Sequence, residues 1–287
     1  MTITLFADKN YRGKSLVVTR NWRDLDDATV GRNPSSLTMS SDNDAVLLFK
    51  GKDWDGGVMC FRCKRSMTSL GKKSEGGELL AGNTVASVRV TPFTLKLNVS
   101  VVTTHDNPRD LKSPVRYPGD YDSEAQVRIN LGKAVLTANQ FFARENAMIE
   151  LAIADVHFRM NDGLFEPTVA KVSTSVPGGW KVKRQIDVIV VHSLKGAYGV
   201  AKMPWWGQIV VIEMKDRFIG QVARTLAHEL GHFLGLPHGS GDGAAKNIMT
   251  PSDQGLPIDQ TVMLDEQIEE MQQKLARNLT RQGDRIA

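Results

Sequence analysis

Cysteine is almost absent from this chain: Cys60 and Cys63 are the only two in 287 residues, which excludes a disulfide framework as the source of stability. On one strand, positions three apart point to opposite faces, so these two do not bridge without a bulge. The spacing reads as two reduced thiols, with a CxxC redox or metal pair as the alternative. Long apolar runs are missing too. None reaches the roughly 18 residues of a membrane-crossing helix, so no membrane span is expected. The opening Met1-Thr2-Ile3-Thr4-Leu5-Phe6-Ala7-Asp8-Lys9 carries charge before a signal-peptide core can form, so no Sec-type address is expected. The expected location is cytoplasmic, or outside by a route independent of such a signal. Charge of one sign is scarce as well. The net charge is +4, the whole excess lies within residues 1–92, and no Lys/Arg run concentrates it. That pattern reads as a solvated face, and nucleic acid is not expected among the partners.

What is present is an ordinary globular composition, 41% apolar and 24% charged, in a chain long enough for two domains. Residues 1–92 contain an internal repeat: Phe6-x-x-x-x-Tyr11-x-Gly13 recurs 43 positions later as Phe49-x-x-x-x-Trp54-x-Gly56. Each copy opens with a strand-like run, Ile3 to Phe6 and Val46 to Phe49. Each passes a Gly turn into another, Leu16 to Thr19 and Val58 to Arg62. Neither copy has a helical period, so antiparallel β units are expected.

An aromatic five residues before another, followed by a Gly, resembles the Greek-key motif of the βγ-crystallins. The resemblance covers nearly all of residues 1–92, and Ser36 and Ser87 match the serine later in each motif. It implies two motifs paired into one sandwich, with the aromatics packed over each first hairpin. Many microbial members bind calcium through Asn/Asp-Asn/Asp-x-x-Ser/Thr-Ser. The matching stretches here read Gly31-Arg32-Asn33-Pro34-Ser35-Ser36 and Gly82-Asn83-Thr84-Val85-Ala86-Ser87. Gly31, Gly82 and Ala86 replace side-chain oxygens that a cation with six to eight oxygen ligands needs. Ca²⁺ is therefore the secondary candidate cofactor, and a structural or targeting sandwich is the expected role.

Thr91-Pro92 marks a boundary, after which the pattern turns to mixed helix and strand. Leu95 to Thr103 alternates as a strand, and Thr104 to Asp122, rich in Pro, Asp and Gly, reads as a surface loop. Ser123-Glu124-Ala125-Gln126 opens a helix with a capping box that runs to about Asn146, with Val127, Leu131, Ala134, Val135, Ala138 and Phe142 on one stripe. Ile149 to Arg159 and Gln185 to His192 read as strands, the latter buried on both faces. Between them Asn161 to Arg184 reads as an insertion loop with one short strand. Ala197 to Ala201 and Gly207 to Glu213 supply two more strands, and a last helix is expected from about Gln260 to Leu279. His105 in a loop, and His157 and His192 on or beside strands, read as satisfied neutral imidazoles.

Ile219 to Leu234 has no Pro and places Val222, Leu226, Leu230 and Phe233 at helical spacing. On that helix His228 and His232 lie one turn apart on one face, close enough for two imidazoles to reach one ion about 2 Å away. Glu229 sits beside the first of them, placed as a general base. Gly235 can take the left-handed conformation that stops a helix and turns the chain, which would bring His238 back beneath the ion. Three imidazoles with one open position describe a catalytic zinc site.

The run His228-Glu229-Leu230-Gly231-His232-Phe233-Leu234-Gly235-Leu236-Pro237-His238, with Met249 in Asn247-Ile248-Met249, resembles the metzincin clan of zinc endopeptidases, whose signature is HExxHxxGxxH followed by a Met-turn. The resemblance reaches from Leu95 to about Ala276. It implies Zn²⁺ on His228, His232 and His238, Gly235 and Met249 as structural support, and peptide-bond hydrolysis by metal-activated water with Glu229 as base. It also implies a protein or peptide substrate laid as a strand along Ala197 to Ala201, with Thr250 to Pro257 walling a side-chain pocket. Some of these families place a Tyr two residues after the Met; Pro251 stands there. The expectation is a multidomain chain: an all-β Greek-key sandwich over 1–92, an α+β metzincin-like catalytic domain over 93–280 and a tail over 281–287. An exported effector is one setting for such an enzyme. The alternative, a non-catalytic calcium-binding or adhesion module retaining a zinc site, has no use for the carboxylate of Glu229.

Overall fold

The repeated runs are strands. In a computed structural model, which describes residues 2–282 apart from 27, 32–33, 41–44, 53–57, 62–68, 71–84, 181–184, 202–208, 216–217, 240–245 and 252–257, β1 (Ile3–Asp8), β2 (Arg12–Val18) and β3 (Ser36–Met39) form an antiparallel sheet of order β2-β1-β3. β4 (Val46–Phe49), β5 (Val58–Phe61) and β6 (Ser87–Arg89) repeat the order as β5-β4-β6. Each copy lends part of its long connection to the other sheet: Trp22 bridges Val88 of β6, and the Leu70 N–H donates to the Ser35 carbonyl beside β3. That exchange is a paired Greek key. Ile3, Leu5 and Leu37 of one sheet share a core with Val46, Leu48 and Val88 of the other, as the alternation of inward residues requires.

The aromatic of the first repeat does what its position suggests. Phe6 and Tyr11 pack with ring centroids 5.8 Å apart, while Asn10, Tyr11 and Gly13 all take positive φ to fold the hairpin over. A Cβ on Gly13 would run into the Asp8 carboxylate. Ser36 pins the fold, donating to the Asp8 carbonyl at 2.6 Å and accepting from the Tyr11 N–H at 3.0 Å, and Ser87 donates to the Gly51 carbonyl at 2.7 Å. Trp54, Gly56, Gly82 and Cys63 lie outside the described residues, whereas Cys60 falls within β5.

By contacts the chain divides into two units, and the first takes in Phe142–Glu150 and Leu264–Ala287 as well as Met1–Phe93. Within it the last helix, α5 below, packs on β5 and buries Ile268, Met271 and Leu275. Gln272 on the same helix donates to the Ala147 carbonyl at 2.9 Å.

The second unit is built on a sheet of order β11-β12-β10-β7-β8, with β9 also paired to β7. Its elements run β7 (Phe93–His105), β8 (Val115–Arg116), α1 (Glu124–Arg144), β9 (Ile149–Met160), α2 (Asp162–Phe165), α3 (Val169–Ser175), β10 (Ile186–Val191), β11 (Gly199–Ala201), β12 (Ile209–Glu213) and α4 (Ile219–Phe233); α5 (Asp265–Gln282) follows. β10 is parallel to β7 and β12, while β11 is antiparallel to β12 at the sheet's edge. α1 opens on the expected box, although Gln126 accepts from the Asp122 N–H at 3.0 Å while its own N–H donates to the Ser123 hydroxyl at 3.4 Å. Its apolar stripe is buried throughout.

Several expectations are corrected. Leu95 to Thr103 does not alternate: from Asn98 the strand is buried on both faces. The Asn98 side-chain NH₂ donates to the Asp187 carboxylate at 2.7 Å and the Trp180 carbonyl at 3.0 Å, whereas the Asn98 Oδ1 and the Ser100 hydroxyl are buried without a hydrogen-bond partner. Of the expected loop Asn161 to Arg184, the described part, up to Trp180, is largely helical. Asn161 caps α2 through the Leu164 N–H and Thr168 caps α3 through the Lys171 N–H, and Leu164, Phe165 and Val172 join a core with Val102, Ile189, Val191, Ile209 and Val211. His105 closes β7 and bonds the Ser113 carbonyl at 2.9 Å, and the expected loop after it carries β8 and a short 3₁₀ turn. A 3₁₀ turn at Ile258–Gln260 precedes α5, which starts later than Gln260.

Candidate metal centre

α4 lies against β12 and β11, burying Val222, Ala223, Leu226, Leu230 and Phe233, so the opposite side of the same turns is left to line a cleft. The helix ends as its glycine predicts. Gly235 has φ 99°, its N–H donates to the His232 carbonyl at 2.9 Å, and the Leu236 N–H reaches back to the Gly231 carbonyl at 2.9 Å. This pair of bonds around a left-handed residue is the Schellman stop. It aims the Leu236 carbonyl at the His232 ring, which meets it through Nδ1 at 2.8 Å.

A second turn does the same for His228. Asn247 is buried, its side chain accepts from the Met249 N–H at 2.7 Å, and the Thr250 N–H donates to the Asn247 carbonyl at 3.1 Å. The Ile248 carbonyl then meets Nδ1 of His228 at 2.7 Å. The turn is held in place from outside, because the Ile248 N–H donates to the Val262 carbonyl at 2.8 Å and the Gly239 N–H to the Met249 carbonyl at 2.9 Å. Met249 is fully buried against Gly231, where a Cβ would overlap its sulfur. Gly231 thus lets the methionine slide beneath the helix between the two histidines.

A carbonyl oxygen only accepts, so Nδ1 of His228 and of His232 carries the proton and Nε2 presents its lone pair. His238 completes the group: ring centroids lie 4.6 Å (His228–His232), 4.5 Å (His232–His238) and 5.4 Å (His228–His238) apart. One ligand atom from each lies within 4.8 Å of the others, against about 3.4 Å for nitrogens on one tetrahedral zinc. The donor set fits a borderline-soft divalent ion. Burial lowers the pKa of His228 to about 4, opposed by its bond to Ile248 and helped by His232, His238 and Arg224. Burial also lowers that of His232, so both imidazoles are neutral near pH 7, the form a metal needs.

Glu229 is buried and faces β11. Burial raises its pKa to about 8, while an N–H from Ala201 pulls the other way. β11 approaches so closely only because position 199 is Gly. A Cβ there would stand 2.6 Å from Thr225 Cγ2, 2.7 Å from Glu229 Cγ and 2.8 Å from Glu229 Oε1. The cleft, about 700 Å³, is lined by β11 and Tyr198 on one side, His228, Glu229, His232 and His238 at its floor, and Thr250 and Pro251 beyond.

The six residues singled out from the sequence, His228, Glu229, His232, Gly235, His238 and Met249, are brought together here; of the segment Thr250 to Pro257 only Thr250 and Pro251 are described, and both line the cleft. Among the described residues His105, His157 and His192 take no part. Sequence reasoning missed Gly199, Gly231, Asn247 and Arg224. A Gly inside a strand run is the signal that could have flagged Gly199; Arg224, one turn before His228, offers only its helical phase.

No family model matches the chain, and no curated protein matches it. Solved structures do resemble part of it. A beta gamma crystallin from Ciona intestinalis is 24% identical over 32% of this chain and 100% of that chain, with a TM-score of 0.26. A βγ-crystallin domain from Clostridium beijerinckii is 19% identical over 31% of this chain and 95% of that chain, TM-score 0.26. The N-terminal domain of protein S is 19% identical over 31% of this chain and 93% of that chain, TM-score 0.25. About a third of the chain is therefore similar to βγ-crystallin Greek-key domains.

Proposed function

We propose that the chain is a zinc-dependent endopeptidase of the metzincin type, and the observation that carries the reading is the convergence of three imidazoles and one buried carboxylate in one cleft beside an edge strand. Nε2 of His228 and His232 and a nitrogen of His238 would hold the ion. Zinc in that place supplies Lewis acidity toward a carbonyl oxygen and makes water a stronger acid. The chain's own groups do the rest. The Glu229 carboxylate takes the proton of the attacking water and returns it to the leaving amine. In the metal-free chain burial raises the proton affinity of Glu229 and the Ala201 N–H restrains it, and a bound dication beside it would lower that affinity and favour the carboxylate form. β11 is the end strand of its sheet among the described residues, and its outer side would offer main-chain groups to an extended peptide lying over Glu229.

The test is metal analysis of the purified protein followed by digestion of a broad peptide library with and without a chelator. About one zinc per chain, with cleavage that the chelator abolishes and added zinc restores, is expected. A zinc-loaded protein that cleaves nothing in the library overturns the peptidase and leaves a metal-binding module.

A further inference from the structure

His192, the residue after β10, reads from the sequence as a satisfied neutral imidazole, but the fold leaves it unsatisfied. It is 2% exposed, and its Nδ1 is buried without a hydrogen-bond partner. Its backbone is fixed on both sides, the N–H donating to the Phe165 carbonyl at 3.0 Å and the carbonyl accepting from the Lys215 N–H at 2.8 Å. The ring stacks on Phe165 with centroids 5.0 Å apart. Two carboxylates from separate elements flank it. Asp120 Oδ1, in the 3₁₀ turn Pro118–Asp120, lies 3.9 Å from Nδ1, and Glu166 Oε1, at the end of α2, lies 3.6 Å from Nε2. Both distances are too long for a hydrogen bond, and both are shorter than the roughly 4.5 Å that a bridging water spans. A neutral imidazole has one N–H, so one of the two carboxylates always faces a lone pair, whereas the imidazolium has an N–H for each. Burial is the main reason that the ring stays neutral near pH 7; Asp120 and Glu166 oppose it, and Arg116 and Lys215 add to it.

We propose that His192 is a proton-operated clasp: when the imidazole takes up a second proton, the turn at Asp120 and the end of α2 at Glu166 close onto it. The ring is held by its stack and its backbone bonds, so the carboxylates are the groups that move, and they face solvent, with side chains 57% and 44% exposed. A shift of about 1 Å turns each contact into a charge-assisted hydrogen bond. While the ring is neutral, Arg116 draws Asp120 the other way, its Nη2 standing 3.4 Å from Asp120 Oδ1 and its Nε 3.6 Å from Asp106 Oδ1. The clasp is independent of the metal centre, since His192 takes no part in the histidine cluster.

The experiment titrates the full chain by NMR from pH 7.5 to 4.5, with the His192 ring signal assigned by its loss in His192→Phe, which keeps an aromatic ring against Phe165. In parallel, hydrogen exchange of the amides of residues 119–121 and 164–166, corrected for its intrinsic dependence on pH, reads closure. In wild type the ring should titrate below the ordinary imidazole value of 6.5, and both segments should gain roughly 2- to 5-fold protection as it does. Asp120→Asn and Glu166→Gln leave the ring in place, and Asn tolerates the left-handed backbone of residue 120, φ 54°. Each should push the midpoint lower still and remove most of the gain, while His192→Phe should show no gain. A ring that titrates with flat protection, or that does not titrate in this range, overturns the clasp. So does a midpoint that neither carboxylate substitution moves, or a gain that persists in His192→Phe. If His192→Phe does not fold, the two carboxylate variants decide alone.

Discussion

At the scale of single residues the proposed chemistry assigns Glu229 as base and three histidines as ligands. Glu229→Ala removes the base and no ligand, so zinc content and fold should stay while kcat falls by roughly 10² to 10⁴, measured by peptide assay beside metal analysis. His232→Ala should lose metal and activity together, because two imidazoles hold zinc far less well than three. Cleavage at the wild-type rate by zinc-bound Glu229→Ala would remove Glu229 from the mechanism. The raised pKa of Glu229 adds a pH signature in metal-free protein. Its folded value, about 8, lies above the ordinary 4.5, so the folded state holds a proton that the unfolded state releases between these limits. Its contribution to stability is complete below about pH 4.5 and is lost as the pH rises through 8. Urea unfolding in the presence of chelator should therefore show metal-free Glu229→Gln gaining on wild type from pH 5 to pH 9. Parallel stability curves for the two would show that Glu229 ionises normally.

At the scale of elements the site depends on close approaches that only glycine allows. Gly199→Ala puts a methyl against Thr225 and Glu229, forcing β11 off α4 or the carboxylate out of place, at a cost of about 1–3 kcal/mol. Because no ligand is on β11, zinc content should persist while activity drops, and unchanged kcat would show that β11 yields without moving the base. Gly235→Ala strains a residue at φ 99° by about 1–2 kcal/mol and loosens the turn that aims Leu236 at His232. The helices α2 and α3 were not legible in Asn161 to Arg184. Their turns are short, Pro167 and Pro177 interrupt them, and what holds them is burial of Leu164, Phe165 and Val172 against a sheet whose strands come from distant sequence.

At the scale of the whole molecule, calcium and truncation probe the division of the chain. Ser36 and Ser87 already hold the Asp8 and Gly51 carbonyls, and the Ala86 backbone is bonded to Phe49 and Leu25, so these described residues of the stretches matching calcium motifs serve the Greek-key exchange. Millimolar Ca²⁺ should move the melting temperature by about zero, and a rise of many degrees would show a carbonyl-built site. A cut at Pro92 leaves α5 without β5. The fragment 93–287 should bind zinc but expose the stripe Ile268, Met271 and Leu275, and so bind an apolar-surface dye more than the full chain does. Equal dye binding would show that α5 finds other cover.

The sequence by itself determined what is periodic or contiguous. The 43-residue aromatic-glycine repeat, the stripe of α1, and the one-turn spacing of His228 and His232 follow from local geometry that any chain with these residues shares. Gly235 and His238 were legible for the same reason, since a left-handed stop and three further residues reach back only a short way. The tertiary structure alone decided the rest. Which carbonyl orients His228, why positions 199 and 231 bear no side chain, and where Arg224 points are set by contacts across tens of residues, Ile248 to His228 and Gly199 to Glu229. Burial, which shifts the proton affinities of His228 and Glu229 in opposite directions, likewise exists only once strand and helix have closed over them.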